Sequence, residues 1–368
     1  MFSVIYTALF MSQGIAEAKN INLLMNLPSG INTPDGAALA KNGNIILSIP
    51  NFNNAALLKQ KRIAQPAPEK MVVIDKQNKL IDWYVFSDKD KHEDSGKIGP
   101  MDAAFGPDGN LYVADMQIFW GGDHKSRLLR INVENGKAIS MDVVVEGFIV
   151  ANGLVWKGDT LYVTETILSH TPKVEPGMQK PPLLSGVYAF KLAELNDGPV
   201  QLTPYNEFHS DSHLLLRIHS SNRVGFGADG VTVDAAGNLY TSVIEDGVIY
   251  KTTFDAAGKP VDTRLFAKSD LMRSADGITW RQADQKIYVA DMLLNAVHSV
   301  DSNGHVETLH KNGDTAGQQG LLDQPAEVII RGNELIIVNM DMPWNDPQNL
   351  LVNTTIDEPY TLSVIQLP

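Results

Sequence analysis

The sequence predicts an all-β protein, a six-bladed β-propeller with four strands in each blade. The main observation is a hairpin pattern of a short apolar run, a turn rich in Gly, Asn and Asp, and a β-prone run such as LYVAD or LYVTE. This pattern occurs six times, in copies that begin at Asp35, Asp102, Asn152, Asp229, Asp276 and Glu327. The spacing between copies leaves room for two further strands, which gives the four strands of a propeller blade.

Candidate outer strands follow each hairpin in turn. MVVIDK and LIDWYVF follow the first copy, RLLRINV and ISMDVVVEG the second, and GVYAFKL and LLLRIH the third. VIYKTTF and TRLFA follow the fourth copy, and AVHSVDS and HVETLH the fifth. The sixth copy is followed only by YTLSVIQL. We therefore expect the N-terminal run INLLMNLP, residues 21–28, to provide the missing outer strand and close the ring.

The first 18 residues have the pattern of an export signal. An apolar run precedes the sequence Ala16-Glu17-Ala18, which matches an A-x-A cleavage site, although no Lys or Arg precedes the run. The run is too short for a transmembrane helix. We expect an exported protein, periplasmic or secreted, whose single propeller domain spans residues 19–368. A cytoplasmic protein with an apolar N-terminal extension is the alternative.

Composition excludes several classes of partner. The net charge is -13, and no basic stripe offsets it, which argues against nucleic acid and against an anionic membrane surface. The chain has no cysteine, so disulfides, thiolate metal ligands and a cysteine nucleophile are excluded. The expected partner is a small molecule, and no protein partner can be inferred.

Oxygen-bearing side chains head all six hairpins. Because the first strand of each propeller blade lines the central channel, these six residues should converge at one mouth of it. Without Lys or Arg among them, they would repel one another in a partly desolvated channel. A hard cation such as Ca²⁺ would relieve that repulsion, and another divalent cation is the alternative. The competing interpretation is that each residue only caps a strand or turn.

Long connections are predicted on the same side as these acids. They span residues 51–69, 116–125, 166–184 and 341–359, whereas the turns at the opposite mouth are short. Function tends to occupy such loops. We expect a substrate pocket walled by their aromatic and histidine side chains, Phe52, Trp120, His124, His170 and Trp344. One long connection, residues 193–213, is predicted on the other side.

Two of the hairpin motifs resemble a known family. ANGLVW at Asn152 and ADGVTVDAAGNLY at Asp229 are similar to the metal-ligand motifs of the senescence marker protein/gluconolactonase (regucalcin-like) family. These proteins are calcium-dependent six-bladed propellers related to paraoxonase and diisopropyl-fluorophosphatase. The resemblance extends from about residue 31 to the end. The family's third ligand is a Glu, and Asp35 in PDGAAL occupies its place with one methylene fewer. The resemblance thus implies a Ca²⁺ site formed by Asp35, Asn152 and Asp229.

The substrate half of the family pattern is different here. Gluconolactonase-type members carry an Arg and an Asn that grip a sugar lactone, where this chain has Gly99 and Met101 in KIGPMD. Lys97 is the one nearby cation that could substitute. Paraoxonase-like members use a His as proton carrier, for which His124 and His170 are candidates by loop position.

The resemblance implies metal-assisted hydrolysis of a lactone or ester. Asp229 would act as general base or nucleophile, and Asp102 as a second catalytic acid or a fourth metal ligand. The candidate substrate-binding residues are His124, His170, Glu165, Asp276 and Glu327. The acids at the ends of the second strands, Asp115, Glu165, Glu245, Asp291 and Asp341, are predicted mainly to bind neighbouring backbone. The alternative function is a non-catalytic NHL-like platform for a ligand or protein, with structural calcium.

Overall fold

The computed structural model describes residues 20–175, 178–346 and 348–368. It contains six antiparallel sheets arranged as the blades of a propeller, which confirms the predicted fold class. The strand that lies first in the sequence is β1 (Ile21–Asn26). Blade 1 consists of β2 (Ala37–Leu39), β3 (Ile45–Ile49), β4 (Lys70–Ile74) and β5 (Leu80–Val85). The predicted export signal, residues 1–18, lies outside the described residues.

The next blades follow the same plan. Blade 2 contains β6 (Pro100–Phe105), β7 (Leu111–Asp115), β8 (Ser126–Glu134) and β9 (Lys137–Phe148). Blade 3 contains β10 (Ala151–Lys157), β11 (Thr160–Ser169), β12 (Leu183–Lys191) and, after the short β13 (Val200–Gln201), β14 (Leu214–Ser220). Blade 4 contains β15 (Ala228–Val233), β16 (Leu239–Val243), β17 (Val248–Phe254) and β18 (Pro260–Lys268).

The last two blades complete the ring. Blade 5 contains β19 (Ile278–Arg281), β20 (Lys286–Asp291), β21 (Ala296–Val300) and β22 (Val306–Lys311). Blade 6 contains β23 (Pro325–Arg331), β24 (Glu334–Asn339) and β25 (Thr361–Gln366), and β1 is its outer strand. The pairing of β1 with β25 runs antiparallel, from Ile21 opposite Ile365 to Asn26 opposite Thr361. The N-terminal strand therefore closes the ring as the sequence predicted.

Two connections differ from their predicted form. The region 193–213 is not one long loop, because α2 (Leu192–Asn196) begins it and β13 adds a parallel fifth strand to the edge of blade 2. The connection predicted at residues 166–184 is shorter, since β11 runs to Ser169 and β12 begins at Leu183. The loop after β3 contains α1 (Asn54–Lys59), and 3-10 turns occupy Ile118–Trp120, Ile244–Asp246 and Gln318–Gly320. Neither helix in the described part of the chain has the length and hydropathy of a membrane span.

The second strand of each blade is buried on both faces, because it lies between neighbouring strands and between neighbouring blades. In LYVAD (Leu111–Asp115) all five residues are buried. The Tyr112 ring packs edge to face against Trp156 of blade 3, with centroids 5.0 Å apart, and its hydroxyl donates to the turn residue Asp108 at 3.0 Å. Tyr240 makes the equivalent hydroxyl contact with Asp234 at 3.0 Å. The repeated tyrosine therefore joins a blade's core to its own hairpin turn.

Four of the five acids predicted near the ends of the second strands hold the loop that leads into the same blade, whereas Asp341 accepts hydrogen bonds from Asn353 Nδ2 and Asp357 N in the loop that follows its strand. Asp115 accepts a hydrogen bond from Gly99 N at 2.8 Å, and Glu165 accepts one from Ile149 N at 3.0 Å. Glu245 and Asp291 bind the corresponding loops of blades 4 and 5 through backbone donors at Asn222, Val224, Gly225, Arg273 and Ser274. These contacts satisfy carboxylates that would otherwise be costly to bury.

Small residues let the innermost strands approach one another. Glycine follows four of the six axial residues, at Gly36, Gly153, Gly230 and Gly277. A Cβ on Gly36 would overlap Asp102 Cα and lie 2.7 Å from Asp102 N, and a Cβ on Gly230 would lie 2.5 Å from Asp276 O. In each case the obstructing atoms include those of the next blade's axial residue or its neighbour. The acid-glycine pair therefore marks a position where adjacent blades touch through their backbones.

A buried carboxyl on blade 6 provides a test of how stability depends on pH. Burial, followed by the charges of Asp341 and Asp357, raises the pKa of Asp323 to about 9, and its Oδ1 is buried without a hydrogen-bond partner. Between pH 3.8, the ordinary aspartate pKa, and about pH 9, Asp323 is therefore ionised in the unfolded chain but protonated in the folded protein. Folding takes up this proton, so the free energy of unfolding falls as the pH rises towards 9. Between pH 6 and pH 9 we expect the wild type to lose about 3–4 kcal/mol more stability than Asp323→Asn, because the asparagine has no proton to release.

The measurement is the unfolding free energy from denaturant titrations at the two pH values. Exposed Asp270 offers the control, because Asp270→Asn should keep the wild-type pH dependence. An Asp323→Asn variant that loses stability as steeply as the wild type would contradict the assignment of the proton to Asp323.

Candidate functional site

A cavity of about 300 Å³ lies where the inner strands of several blades begin. Its polar residues include the axial residues of four blades, which precede or lie within β2, β10, β15 and β19: Asp35, Asn152, Asp229 and Asp276. A cavity of this size falls at the small end of the range for ligand pockets. The structure thus brings the three proposed metal ligands together with Asp276.

The walls of the cavity are apolar. Five methionines contribute to them, Met101, Met116, Met292, Met340 and Met342. The remaining apolar lining is aromatic or aliphatic, from Phe52, Phe119, Phe226, Trp344, Val224, Ile244 and Leu293. The rings of Phe52 and Phe119 meet edge to face with centroids 5.1 Å apart, so this part of the wall is itself packed. A ligand in the cavity would therefore meet polar atoms mainly at the axial residues.

Hydrogen bonds connect the axial residues directly. The Asn152 amide Nδ2 donates to Asp229 Oδ2 at 2.8 Å. The side chains of Asp229 and Asp276 also interact, and a hydrogen bond between them requires a proton on one of the two carboxyl groups. The backbone carbonyl of Asp229 accepts a hydrogen bond from Thr164 Oγ1 at 2.5 Å, which holds β15 against blade 3. Two carboxyl groups and one amide consequently form a connected group at the cavity floor.

The surroundings of these carboxyl groups disfavour their ionised forms. Burial raises the pKa of Asp35 well above its usual range, and the charges of Asp229 and Asp102 raise it further. Burial likewise raises the pKa of Asp229 to about 7. Burial raises the pKa of Asp276 well above its usual range, and the charge of Asp229 raises it further. Within residues 20–175, 178–346 and 348–368, no Lys, Arg or His lines the cavity, so no described side chain there offsets these charges.

As a donor set, these residues suit a hard cation. Three carboxylates and one amide offer only oxygen ligands in this group, and hard divalent cations prefer oxygen. Within residues 20–175, 178–346 and 348–368, however, no three acidic or histidine side chains converge as a preformed metal cluster. The argument for a cation therefore rests on two properties of these side chains, their oxygen donors and the repulsion between their negative charges.

The other two axial acids do not line the cavity. Asp102 Oδ2 accepts a hydrogen bond from Leu154 N at 2.7 Å, and its Oδ1 accepts one from Ala103 N at 2.7 Å. Both oxygens are thus engaged by backbone, and burial raises the pKa of Asp102 to about 7. Glu327 Oε1 accepts a hydrogen bond from Val328 N at 2.7 Å. The catalytic role of Asp102 and the substrate role of Glu327 stay predictions.

The remaining predicted site residues also lie away from the cavity lining. His170 is half exposed, and its Nε2 lies 2.9 Å from Asp123 Oδ1. His124 Nδ1 lies 3.1 Å from the carbonyl oxygen of Gly147. Glu165 is buried and holds the loop before β10, and burial raises its pKa to about 8. Lys97 is exposed.

Of the five predicted wall residues, two line the cavity. These are Phe52 and Trp344. Trp120 packs behind the wall, with its ring centroid 5.8 Å from that of Phe52. Sequence reasoning missed the methionines, although a repeated signal marks three of them. Met116, Met292 and Met340 each follow the last residue of a blade's second strand, in VADM, VADM and VNM.

Comparison with solved structures supports the fold. A gluconolactonase from Xanthomonas campestris is 13% identical with a TM-score of 0.54, covering 95% of this chain and 92% of that one. The calcium-binding protein regucalcin from Agrobacterium tumefaciens is 11% identical with a TM-score of 0.56, covering 95% and 93%. A PQQ-bound aldose sugar dehydrogenase from Streptomyces coelicolor is 14% identical with a TM-score of 0.52, covering 95% and 98%. Such likenesses show the fold alone, since these proteins have different activities.

The family follows from the sequence itself. No curated protein sequence matches this chain. The family model described as the SMP-30/gluconolactonase/LRE-like region matches residues 47–267, which is more than half of the chain. That segment includes Asn152 and Asp229, two of the residues on which the resemblance rested. The chain therefore belongs to the SMP-30/gluconolactonase/LRE-like family.

Proposed function

We propose that the protein is a divalent-cation-dependent hydrolase of lactones or esters, and that the axial cavity is its active site. The observation that carries the proposal is the cavity floor, where Asp35, Asn152, Asp229 and Asp276 gather and none of the described lining residues is cationic. Family membership supports a lactonase-type hydrolase. A binding platform would have little use for mutually repelling acids at the bottom of a pocket.

The resident cation in this proposal is Ca²⁺, held by Asp35, Asn152 and Asp229. Their oxygen donors suit calcium, which accepts carboxylates, amide carbonyls and water in irregular geometry. When bound, the ion would polarise the substrate carbonyl and stabilise negative charge that develops on its oxygen. It would also offset the repulsion that raises the pKa values of the axial carboxyl groups.

Asp229 is the residue proposed to carry the chemistry. In hydrolysis, water adds to the carbonyl carbon and the bond from that carbon to the alkoxy oxygen breaks, giving an acid and an alcohol. Asp229 would either take the proton of the attacking water or attack the carbon itself, after which water would release it. The hydrogen bond from Asn152 Nδ2 to Asp229 Oδ2 orients the carboxylate for either role. Asp276, whose side chain interacts with that of Asp229, would help to position it.

The test is hydrolysis of an aryl ester, an aliphatic lactone, a sugar lactone and a phosphotriester by the chelator-treated protein, before and after Ca²⁺ is added back. Turnover of a lactone or ester that returns only with Ca²⁺ is the expected result. Turnover that is unaffected by the chelator would contradict metal dependence. Binding of Ca²⁺ without hydrolysis of any compound would favour the ligand-binding platform.

Removal of the proposed amide ligand should weaken cation binding. We expect Asn152→Ala to raise the Kd for Ca²⁺ about tenfold or more, because it removes one oxygen donor and the hydrogen bond that orients Asp229. Isothermal titration with Ca²⁺ measures this Kd without reference to activity. Asn238→Ala, in the hairpin turn of blade 4, is the matched control and should keep the wild-type Kd. An unchanged Kd in Asn152→Ala would remove Asn152 from the ligand set.

We also propose that the protein is exported, with residues 1–18 removed. The support is the apolar run and A-x-A pattern of this segment, which lies outside the described residues. N-terminal sequencing of the protein recovered from its native host tests the proposal, which an intact Met1 would contradict.

A further inference from the structure

The lining of the cavity is mostly apolar. Twelve of the seventeen lining residues are apolar, and four of the five polar ones are the axial residues Asp35, Asn152, Asp229 and Asp276. The fifth polar residue, Glu245, is already engaged by its own blade. Its carboxylate accepts hydrogen bonds from Ser220 Oγ and from the backbone N–H groups of Asn222, Val224 and Gly225. It is therefore not free to bind a substrate group.

The walls offer few hydrogen bonds to a ligand. In the described part of the chain, no Lys, Arg, His, Ser, Thr, Tyr or Gln side chain belongs to the lining. Among the wall side chains that the structure describes, the Trp344 indole N–H is the one conventional donor. A polyhydroxylated substrate would leave most of its hydroxyl groups without partners, which costs binding free energy. An alkyl chain would instead gain free energy with each methylene removed from water.

The apolar character is built in at equivalent positions of several blades. The residue directly after the second strand is Met116 in blade 2, Ile244 in blade 4, Met292 in blade 5 and Met340 in blade 6, and each lines the cavity. Phe52 and Phe226 reach it from other connections. Methionine adapts its shape to irregular apolar ligands because it is unbranched and polarizable. Because several separate segments each contribute an apolar residue, the chance exposure of a single residue does not explain the apolar lining.

We infer that the substrate carries a single carbonyl head group and an apolar alkyl or acyl chain, and that it is not a sugar lactone. This inference rests on the proposed function and names the substrate class of the same site. The carbonyl head would lie at the axial residues, where Asp229 acts, and the chain would lie against Met292, Met340 and Phe226. Met101, at the start of the first strand of blade 2, adds a further apolar side chain to the lining.

The kinetic test uses lactones that share one ring. With Ca²⁺ present, kcat/KM is measured for δ-hexalactone, δ-octalactone, δ-decalactone and δ-dodecalactone, and for glucono-δ-lactone as the hydroxylated comparison. We expect kcat/KM to rise about fourfold for each added methylene until the cavity is filled, with glucono-δ-lactone the poorest substrate. A flat series, or a preference for glucono-δ-lactone, would overturn the inference.

A matched pair of variants locates the effect in the cavity. Met342→Gln replaces a half-buried wall side chain with a polar one of similar length and should flatten the dependence on chain length. Met25→Gln makes the same replacement in β1, away from the cavity, and should leave it unchanged. Equal slopes in both variants and the wild type would contradict the placement of the chain against this wall.

A binding measurement separates failure of the inference from failure of the proposed function. With ¹³C-methyl methionine, the signals of Met101, Met116, Met292, Met340 and Met342 should shift on addition of δ-dodecalactone, before any turnover. Those of Met25, Met71 and Met141, outside the lining, should not. Shifts without hydrolysis of any lactone would sustain the apolar ligand and refute the hydrolase. Absence of shifts at the five cavity methionines would refute the apolar ligand.

Discussion

Asp229→Ala should reduce kcat/KM for the best substrate by about a thousandfold or more, while the protein still folds. The variant loses the group proposed to activate water or attack the carbonyl, and such a group contributes typically about 10²–10⁴ in rate. Loss of a proposed metal ligand adds to this effect. The measurement is initial-rate hydrolysis at saturating Ca²⁺, with circular dichroism and thermal unfolding to establish that the propeller is intact.

Asp234 provides a control within the same blade. It is the acid of the β15–β16 hairpin turn, where it binds Asn238 and the Tyr240 hydroxyl, and it does not line the axial cavity. Asp234→Ala should lose some stability but retain kcat/KM within about twofold. Turnover by Asp229→Ala comparable to that of Asp234→Ala would eliminate Asp229 as the catalytic group.

Gly36→Ala should cost about 3 kcal/mol or more of folding free energy, or prevent folding. Its Cβ would overlap Asp102 Cα and lie 2.8 Å from Met101 O. All of these atoms belong to the backbone of blade 2, so no side chain can rotate to make room. Blades 1 and 2 would have to separate, and overpacking of this kind typically costs about 1–3 kcal/mol or more. The unfolding free energy from a denaturant titration measures the effect.

Gly313 provides the comparison for the same substitution. A Cβ at Gly313 would meet nothing within 4 Å, and its φ is not positive. Gly313→Ala should therefore be neutral or stabilising by up to about 1 kcal/mol, because alanine restricts the unfolded chain. If both variants lost the same small amount of stability, the close approach of the inner strands would not be a constraint on folding.

The fold could be predicted because its information is local and repeated. Each hairpin carries its own turn residues and its own apolar run, and six similar copies leave few architectures besides a propeller. The closing strand could be predicted by counting strands, because the sixth repeat had only three and residues 21–28 had no other assignment. The edge strand β13 was missed because Val200 and Gln201 form too short a run to give a sequence pattern.

The polar part of the candidate site was predictable from the same repeat. Asp35, Asn152 and Asp229 hold equivalent places in their hairpins, so the geometry of the ring brings them together. The histidines were chosen only by loop position, and the way a loop folds is decided by contacts that periodicity does not encode. His170, for example, pairs with Asp123 instead of lining the cavity. The role of the glycine that follows four of the axial residues was also not predictable, because it depends on contacts with the neighbouring blade.

The closure of the ring by β1 has a consequence for synthesis of the protein. The partner of Asn26 is Thr361, so β1 leaves the ribosome long before β25 exists. At typical elongation rates of about 5–20 residues per second, this strand waits on the order of 20 to 70 seconds for its partner. During that time its pairing edge and its apolar residues Leu23 and Leu24 remain available to other chains. We therefore expect a nascent-chain chaperone to matter most for this N-terminal segment.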